Sequence, residues 1–211
     1  MSQVLGTDLY CITAEEYSGG RSNVQVVKEM LAAGIEVIQY REKNKSMRDK
    51  YAECMKIREL TAETGTKLIV NDHIDLALAV EADGVHLGQE DMPPAVAREL
   101  AGDEMIIGQS THSPRQARKA VEAGVDYIGV GPLFPTSTKE GVCDAVGLEY
   151  LDYVVEELDI SFVAIGGIKE YNISRVKKRG AECICLVTGI VGADDIERKI
   201  NDLRNEIKAC E

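Results

Sequence analysis

Positive charge is scarce in this chain: 24 Lys and Arg stand against 36 Asp and Glu, a formal charge of -12 over 211 residues. That deficit argues against a nucleic-acid partner, because neutralising a run of phosphates requires a concentrated basic face. A phosphorylated small molecule remains compatible, provided the site supplies its own local cations. Long apolar runs are missing too. No stretch approaches the roughly 20 residues that span a bilayer, and the opening residues MSQVLGTDLY lack the basic-then-apolar layout of a secretory signal. A cytoplasmic location with no membrane partner is expected. Paired cysteines are likewise absent: Cys11, Cys54, Cys143, Cys183, Cys185 and Cys210 form no CxxC and no cluster with histidine. Reduced, packed thiols are therefore expected rather than zinc ligands. His73, His86 and His112 have no metal-triad spacing, and no nucleophile elbow or Ser/His/Asp order is found. His86, alternating inside VHLG, reads as structural, and His112 is given no role.

What the chain has in quantity is short Val- and Ile-rich runs alternating with helix-like segments, the signature of repeated βα units around a parallel sheet. Eight runs are present, at 8–13, 37–42, 67–72, 84–88, 105–110, 127–132, 162–167 and 183–189. Punctuation agrees with them. Ser113-Pro114-x-Gln116 reads as an N-cap, a first-turn proline and a capping-box partner, and Gly34, Gly124 and Gly180 are placed to close helices in the left-handed conformation. AAGIEVIQYR, VEADGVHLGQ, EAGVDYIGVG and KRGAECICLV share a faint repeat at every second run, which favours a closed barrel over an open sheet. Residues 194–209 read as a closing amphipathic helix packed through Ile196, Ile200, Leu203 and Ile207. The predicted fold is α/β: one (β/α)8 barrel, a TIM barrel, forming a single domain over 1–211.

In such a barrel, chemistry collects where each apolar run turns polar, at the C-terminal ends of the strands. Gln39, Arg41 and Lys43 alternate there, so period-two geometry turns all three to one side, a grouping suited to a diphosphate. Alone, the same residues would also read as a solvated charged turn. Asp72 and Asp91 sit at or just past the ends of the third and fourth runs and together suggest Mg2+; each also reads as the N-cap of the helix behind it. Gly166-Gly167 and Val187-Thr188-Gly189 occupy the usual barrel phosphate pocket, although paired glycines also mark plain turns. The stiff, hydroxyl-rich loop GPLFPTSTK, 131–139, is expected to cover substrate.

Taken in order, QYREK, VND, HLGQED, GQS, GPLFPTSTK, AIGGI and VTGI resemble the thiamine-phosphate synthase family along the whole chain. The resemblance implies a transferase of thiamine biosynthesis that joins an aminopyrimidine diphosphate to a hydroxyethylthiazole phosphate, giving thiamine phosphate and diphosphate through a dissociative, cation-like transition state. It implies that Gln39, Arg41, Lys43, Asn71 and Lys139 hold the diphosphate, with Mg2+ on Asp72 and Asp91. Ser110 would face the pyrimidine, and Thr136, Thr138, Gly167, Val187 and Thr188 would hold the thiazole phosphate. Lys139, Arg41 and Ser110 are the catalytic candidates. The chain departs from the family in VTGI, more often VSAI, and in GQS, more often GVS, so Gln109 is expected to affect fit near the pyrimidine.

Three other readings compete. A thiazole tautomerase-like barrel would carry a histidine where Pro132 stands and would not keep PTSTK. A non-catalytic phosphate-ligand-binding barrel would lose part of the charged set. Sugar-phosphate isomerases and decarboxylases share the phosphate pocket, but the D-x-K-x-x-D array of the decarboxylases is not found. A homo-oligomer is left open.

Overall fold

A computed structural model describes residues 5–138, 141 and 143–210. Strands β1 Cys11–Ile12, β2 Val37–Tyr40, β3 Lys67–Asn71, β4 Gly84–Leu87, β5 Ile106–Thr111, β6 Tyr127–Val130, β7 Ser161–Ile165 and β8 Cys183–Cys185 lie in one sheet in that order, every neighbouring pair parallel. Between and after them run α1 Asn23–Ala32, α2 Met47–Thr64, α3 Ile74–Ala79, α4 Pro94–Ala101, α5 Pro114–Glu122, α6 Leu148–Glu157, α7 Glu170–Lys177, α8 Thr188–Val191 and α9 Ile196–Lys208. The sheet closes through a bridge between Leu9 and Ile184, where the Tyr10 N–H donates to the Ile184 carbonyl at 3.0 Å and the Ile184 N–H to the Asp8 carbonyl at 2.9 Å. The predicted barrel is therefore present. The strands are mostly shorter than the predicted runs, most of all at the seam: of 8–13 only Cys11 and Ile12 are strand, and of 183–189 only the first three residues, with Thr188 already beginning α8.

Two hydrophobic layers follow from strand alternation. Outward residues such as Ile38, Leu68, Val85, Ile107, Ile128, Ala164 and Ile184 pack beneath the helices. Inward residues, Tyr10, Ile12, Val37, Ile69, Tyr127, Val163, Cys183 and Cys185, fill the lumen as a separate cluster. Lumen space is tight enough to dictate glycine: a Cβ on Gly108 would sit 2.2 Å from Tyr127 Cζ, so this strand position is empty because a phenol from β6 fills it.

The helix signals hold locally. Ser113 Oγ accepts from the Gln116 N–H, and Gly34, Gly124 and Gly180 all have positive φ. The Gln116 side chain accepts from the backbone N–H of His112, one residue before the cap, instead of closing the box on Ser113 itself. Ile196, Ile200, Leu203 and Ile207 of α9 are buried. The faint alternate repeat has a physical counterpart at the bottom of the barrel. Asp83, just before β4, accepts from the Leu68 N–H at 2.7 Å and from Arg58 of α2 at 2.9 Å. Asp126, just before β6, accepts from the Ile107 N–H at 2.7 Å and from Arg98 of α4 at 2.6 Å.

Candidate active site

The C-terminal strand ends surround a cavity of about 500 Å³, a size that fits small-molecule ligands. Gln39, Arg41, Lys43, Asn71, Asp72, Asp91, Ser110, Thr136, Thr138, Gly167, Val187 and Thr188 all line it, so the structure gathers these twelve sequence-predicted residues in one place. Lys139, the thirteenth, lies outside the described residues.

Over β2, β3 and β4 the lining is ionic. Backbone bonds in both directions with Thr13 fix Arg41: its N–H donates to Thr13 Oγ1 at 2.8 Å, and its carbonyl accepts from the same hydroxyl at 3.1 Å. Lys43 Nζ forms an ion pair with Asp72. Neither aspartate caps a helix. The N-cap of α3 is His73 and that of α4 is Pro93, both without side-chain capping, whereas Asp72 takes a left-handed φ of 64° that aspartate tolerates and Asp91 accepts from the Gly88 N–H at 2.6 Å. The two carboxyl groups are close enough to interact. Burial first, and then the Asp72 carboxylate, push the Asp91 carboxyl above its usual range, while the Gly88 N–H and Lys43 pull it the other way. Crowded carboxylate oxygens at the edge of a cavity are a donor set suited to a hard divalent cation.

Behind this group, Glu15, Glu42 and Glu53 converge on the ammonium of Lys45, which bonds Glu53 at 2.8 Å and also pairs with Glu15. That carboxylate cluster already holds its cation. It braces the turn that carries Arg41 and Lys43.

Over β6, β7 and β8 the lining changes to glycine and hydroxyl. Gly166 and Gly167 have φ of 96° and 66°, and a Cβ on Gly167 would approach the Phe134 carbonyl oxygen to 2.6 Å. Glycine is thus demanded by conformation and by the loop packed against it. That loop is only partly a cover: Leu133 and Phe134 donate backbone bonds to the Ile165 and Gly166 carbonyls at 3.0 and 2.9 Å, extending the end of β7, and Leu133 is buried. Thr136 and Thr138 beyond it reach the cavity. The sequence reading passed over Lys169, which lines the same end and donates to Thr188 Oγ1 at 3.0 Å. Buried Asn172 holds this corner: its Oδ1 accepts from the Lys169 N–H at 2.7 Å and its Nδ2 donates to the Gly167 carbonyl at 3.1 Å. A lysine directly after IGGI was the available signal.

The floor between the two ends is polar and also went largely unread. His86, read from the sequence as structural, has its ring in the lumen with Nε2 at 2.9 Å from Ser110 Oγ and Nδ1 at 3.0 Å from Tyr127 Oη. Gln39 turns inward to this floor, donating to Tyr10 Oη at 2.9 Å. Gln109 alternates outward and is not among the cavity-lining residues, so the expected effect on fit near Ser110 has no direct contact to act through. His112 lines the cavity and bonds the Gly131 carbonyl.

Residues 9–190 match the sequence family described as thiamine monophosphate synthase. A thiamine-phosphate synthase of Pelotomaculum thermopropionicum is 64% identical over 204 residues, covering 97% of this chain and 94% of that protein. One from Caldicellulosiruptor saccharolyticus is 54% identical, covering 97% and 92%. Among solved structures, the thiamine phosphate pyrophosphorylase of Pyrococcus furiosus superposes with a TM-score of 0.87 at 39% identity, covering 96% of each chain. Likeness to 3-hexulose-6-phosphate synthase, TM-score 0.70 at 16% identity, reflects the shared barrel alone. With the family matched along most of its length, the chain belongs to the thiamine monophosphate synthase family.

Proposed function

We propose that the cavity joins an aminopyrimidine diphosphate to a hydroxyethylthiazole phosphate, with the diphosphate over β2 to β4 and the thiazole phosphate over β6 to β8. One observation carries this reading: a single cavity has two polar ends of different chemistry on opposite sides of the barrel mouth, ionic over β2 to β4 and lined by glycine and hydroxyls over β6 to β8, with Ser110 of β5 between them. A reaction of two phosphorylated partners requires that division.

In the proposed reaction the bond from the pyrimidine methylene carbon to the diphosphate oxygen breaks, and its electron pair leaves on diphosphate. The thiazole nitrogen lone pair then forms the new carbon–nitrogen bond. Arg41 and Lys43 stabilise charge growing on the leaving group, Arg41 through a planar fork of donors. Lys139 is assigned to the same leaving group by family resemblance. Asn71 donates to diphosphate oxygens, and Ser110 orients the pyrimidine. The backbone at Gly167 and Val187, with the hydroxyls of Thr136, Thr138 and Thr188, holds the thiazole phosphate so that its ring is poised for attack; fixing both partners removes much of the entropic cost of the encounter. No protein nucleophile is required, because the aminopyrimidine itself delocalises the positive charge.

Asp72 and Asp91 would hold Mg2+, which when bound neutralises diphosphate charge as a Lewis acid. The crowding of their carboxylates supports this assignment. The test is to combine purified protein with both substrates, with Mg2+ and separately with chelator, and to follow thiamine phosphate by chromatography. Metal-dependent product is the expected result; no product from folded protein that binds both substrates would overturn the reading.

A further inference from the structure

The lumen holds a continuous hydrogen-bonded chain beneath the cavity. Gln39 Nε2 donates to Tyr10 Oη at 2.9 Å, Tyr10 Oη lies 2.9 Å from Tyr127 Oη, and Tyr127 Oη lies 3.0 Å from His86 Nδ1. His86 Nε2 then lies 2.9 Å from Ser110 Oγ at the cavity wall. Five strands contribute or flank these residues, and the space for them is reserved. Gly108 leaves room for the Tyr127 phenol, and at Gly129 a Cβ would already approach the His86 ring to 3.4 Å.

Proton counting gives this chain a direction. Burial holds the phenols of Tyr10 and Tyr127 well above the usual tyrosine range, so each stays neutral with one proton to donate. Tyr10 Oη accepts from Gln39, and among the described residues its other hydrogen-bond partner is Tyr127 Oη, to which its own proton therefore goes. Tyr127 in turn donates to His86 Nδ1. With Nδ1 accepting, the imidazole carries its proton on Nε2 and donates to Ser110 Oγ, whose own proton is then left for the cavity.

We propose that the chain Gln39, Tyr10, Tyr127, His86 sets Ser110 as a hydrogen-bond donor toward an unprotonated ring nitrogen of the aminopyrimidine, with Tyr10, Tyr127 and His86 acting as positioning residues that select against the oxo-pyrimidine counterpart. This rests on the reading that Ser110 faces the pyrimidine. In the oxo form the corresponding ring nitrogen carries hydrogen, so the hydroxyl could meet it only through its remaining lone pair, turning its own proton away from the ring and leaving that donor without a partner, a mismatch that a buried site rejects. No proton moves during turnover; the chain works by its fixed sense.

Two measurements test it, one of them independent of activity. The ring-nitrogen shifts of His86, identified by comparison with His86→Gln, should show the neutral Nε2–H tautomer at pH 7. The Nδ1–H tautomer or the doubly protonated ring would overturn the proposal. Second, wild-type protein should prefer the aminopyrimidine diphosphate over its oxo analogue by about a thousandfold or more in kcat/KM. Tyr127→Phe and Tyr10→Phe, which keep the rings but cut the chain, should each shrink that preference at least about tenfold while inhibition by inorganic diphosphate stays unchanged. A preference untouched in both variants would also overturn it. Should wild-type protein make no thiamine phosphate, the proposed function falls, and the tautomer still decides the direction of the chain.

Discussion

Arg41 is fixed by its backbone and free to act with its side chain, a combination that separates catalysis from stability. Both backbone groups are tied to Thr13 Oγ1, and these bonds survive any change beyond Cβ. Arg41→Ala should lower kcat by about a hundredfold or more, the usual cost of losing a donor to developing negative charge, with an unchanged urea midpoint. Turnover within about threefold of wild type would remove Arg41 from the leaving-group site. Lys139→Ala should likewise cripple turnover far more than folding. Asp72→Ala is expected to abolish the response of activity to Mg2+ titration, and an unaltered metal dependence would detach Asp72 from the metal. How much of this was readable from sequence depended on geometry. Arg41, Lys43, Asp72 and Asp91 were legible as cavity-lining residues because strand ends turning polar leave a local mark, whereas the capping alternative for the aspartates is excluded only by the structure, with His73 and Pro93 at the caps. Tyr10, His86 and Tyr127 left no such mark. Their partners lie 41 and 117 residues apart, and an inward polar residue in a buried strand looks like any other alternating position.

Helix α7 and the strand before it show how an element can serve a site through one side chain. Asn172 bonds the Gly167 carbonyl and the Lys169 N–H together, so the phosphate corner and the first turn of the helix are set as a unit. Asn172→Ala leaves a part-buried N–H and carbonyl without their partner and should cost about 1 kcal/mol or more by urea unfolding. The same change should raise KM for the thiazole phosphate more than for the pyrimidine diphosphate, and an equal rise in both would show that the corner is not tied to one partner. The end of this helix was legible because Gly180, with its positive φ, is a local signal. The shortness of β8 was not: VTGI continues an apolar run, and only the turn at Val187, with φ -78° and ψ -79°, converts it into a helical start.

In the whole barrel the thiols report on closure. Cys143 is exposed and Cys210 half-exposed, while Cys11, Cys54, Cys183 and Cys185 are buried. Burial pushes the thiols of Cys11 and Cys54 up to about 12 and raises Cys183 and Cys185 as well, which suppresses the reactive thiolate at ordinary pH. Native protein at pH 8 should therefore label rapidly at Cys143 and Cys210 only, the other four reacting at the rate of global unfolding; fast labelling of all six would show that the lumen opens freely. The eightfold alternation made the barrel legible from sequence, but not the manner of its sealing. Besides the Leu9–Ile184 bridge, that involves Arg204 of α9, whose guanidinium bonds the Asp8 carboxylate, the Ala33 carbonyl at 2.6 Å and the Gly34 carbonyl at 2.9 Å, joining residues as far apart as 196 positions. A polypeptide leaving the ribosome N-terminus first thus exposes its opening strand early and receives the clasp for that strand near the end of translation. Throughout that interval the seam edge of β1 is an unpaired strand edge, the surface on which holdase chaperones and misassembly with a neighbouring nascent chain compete.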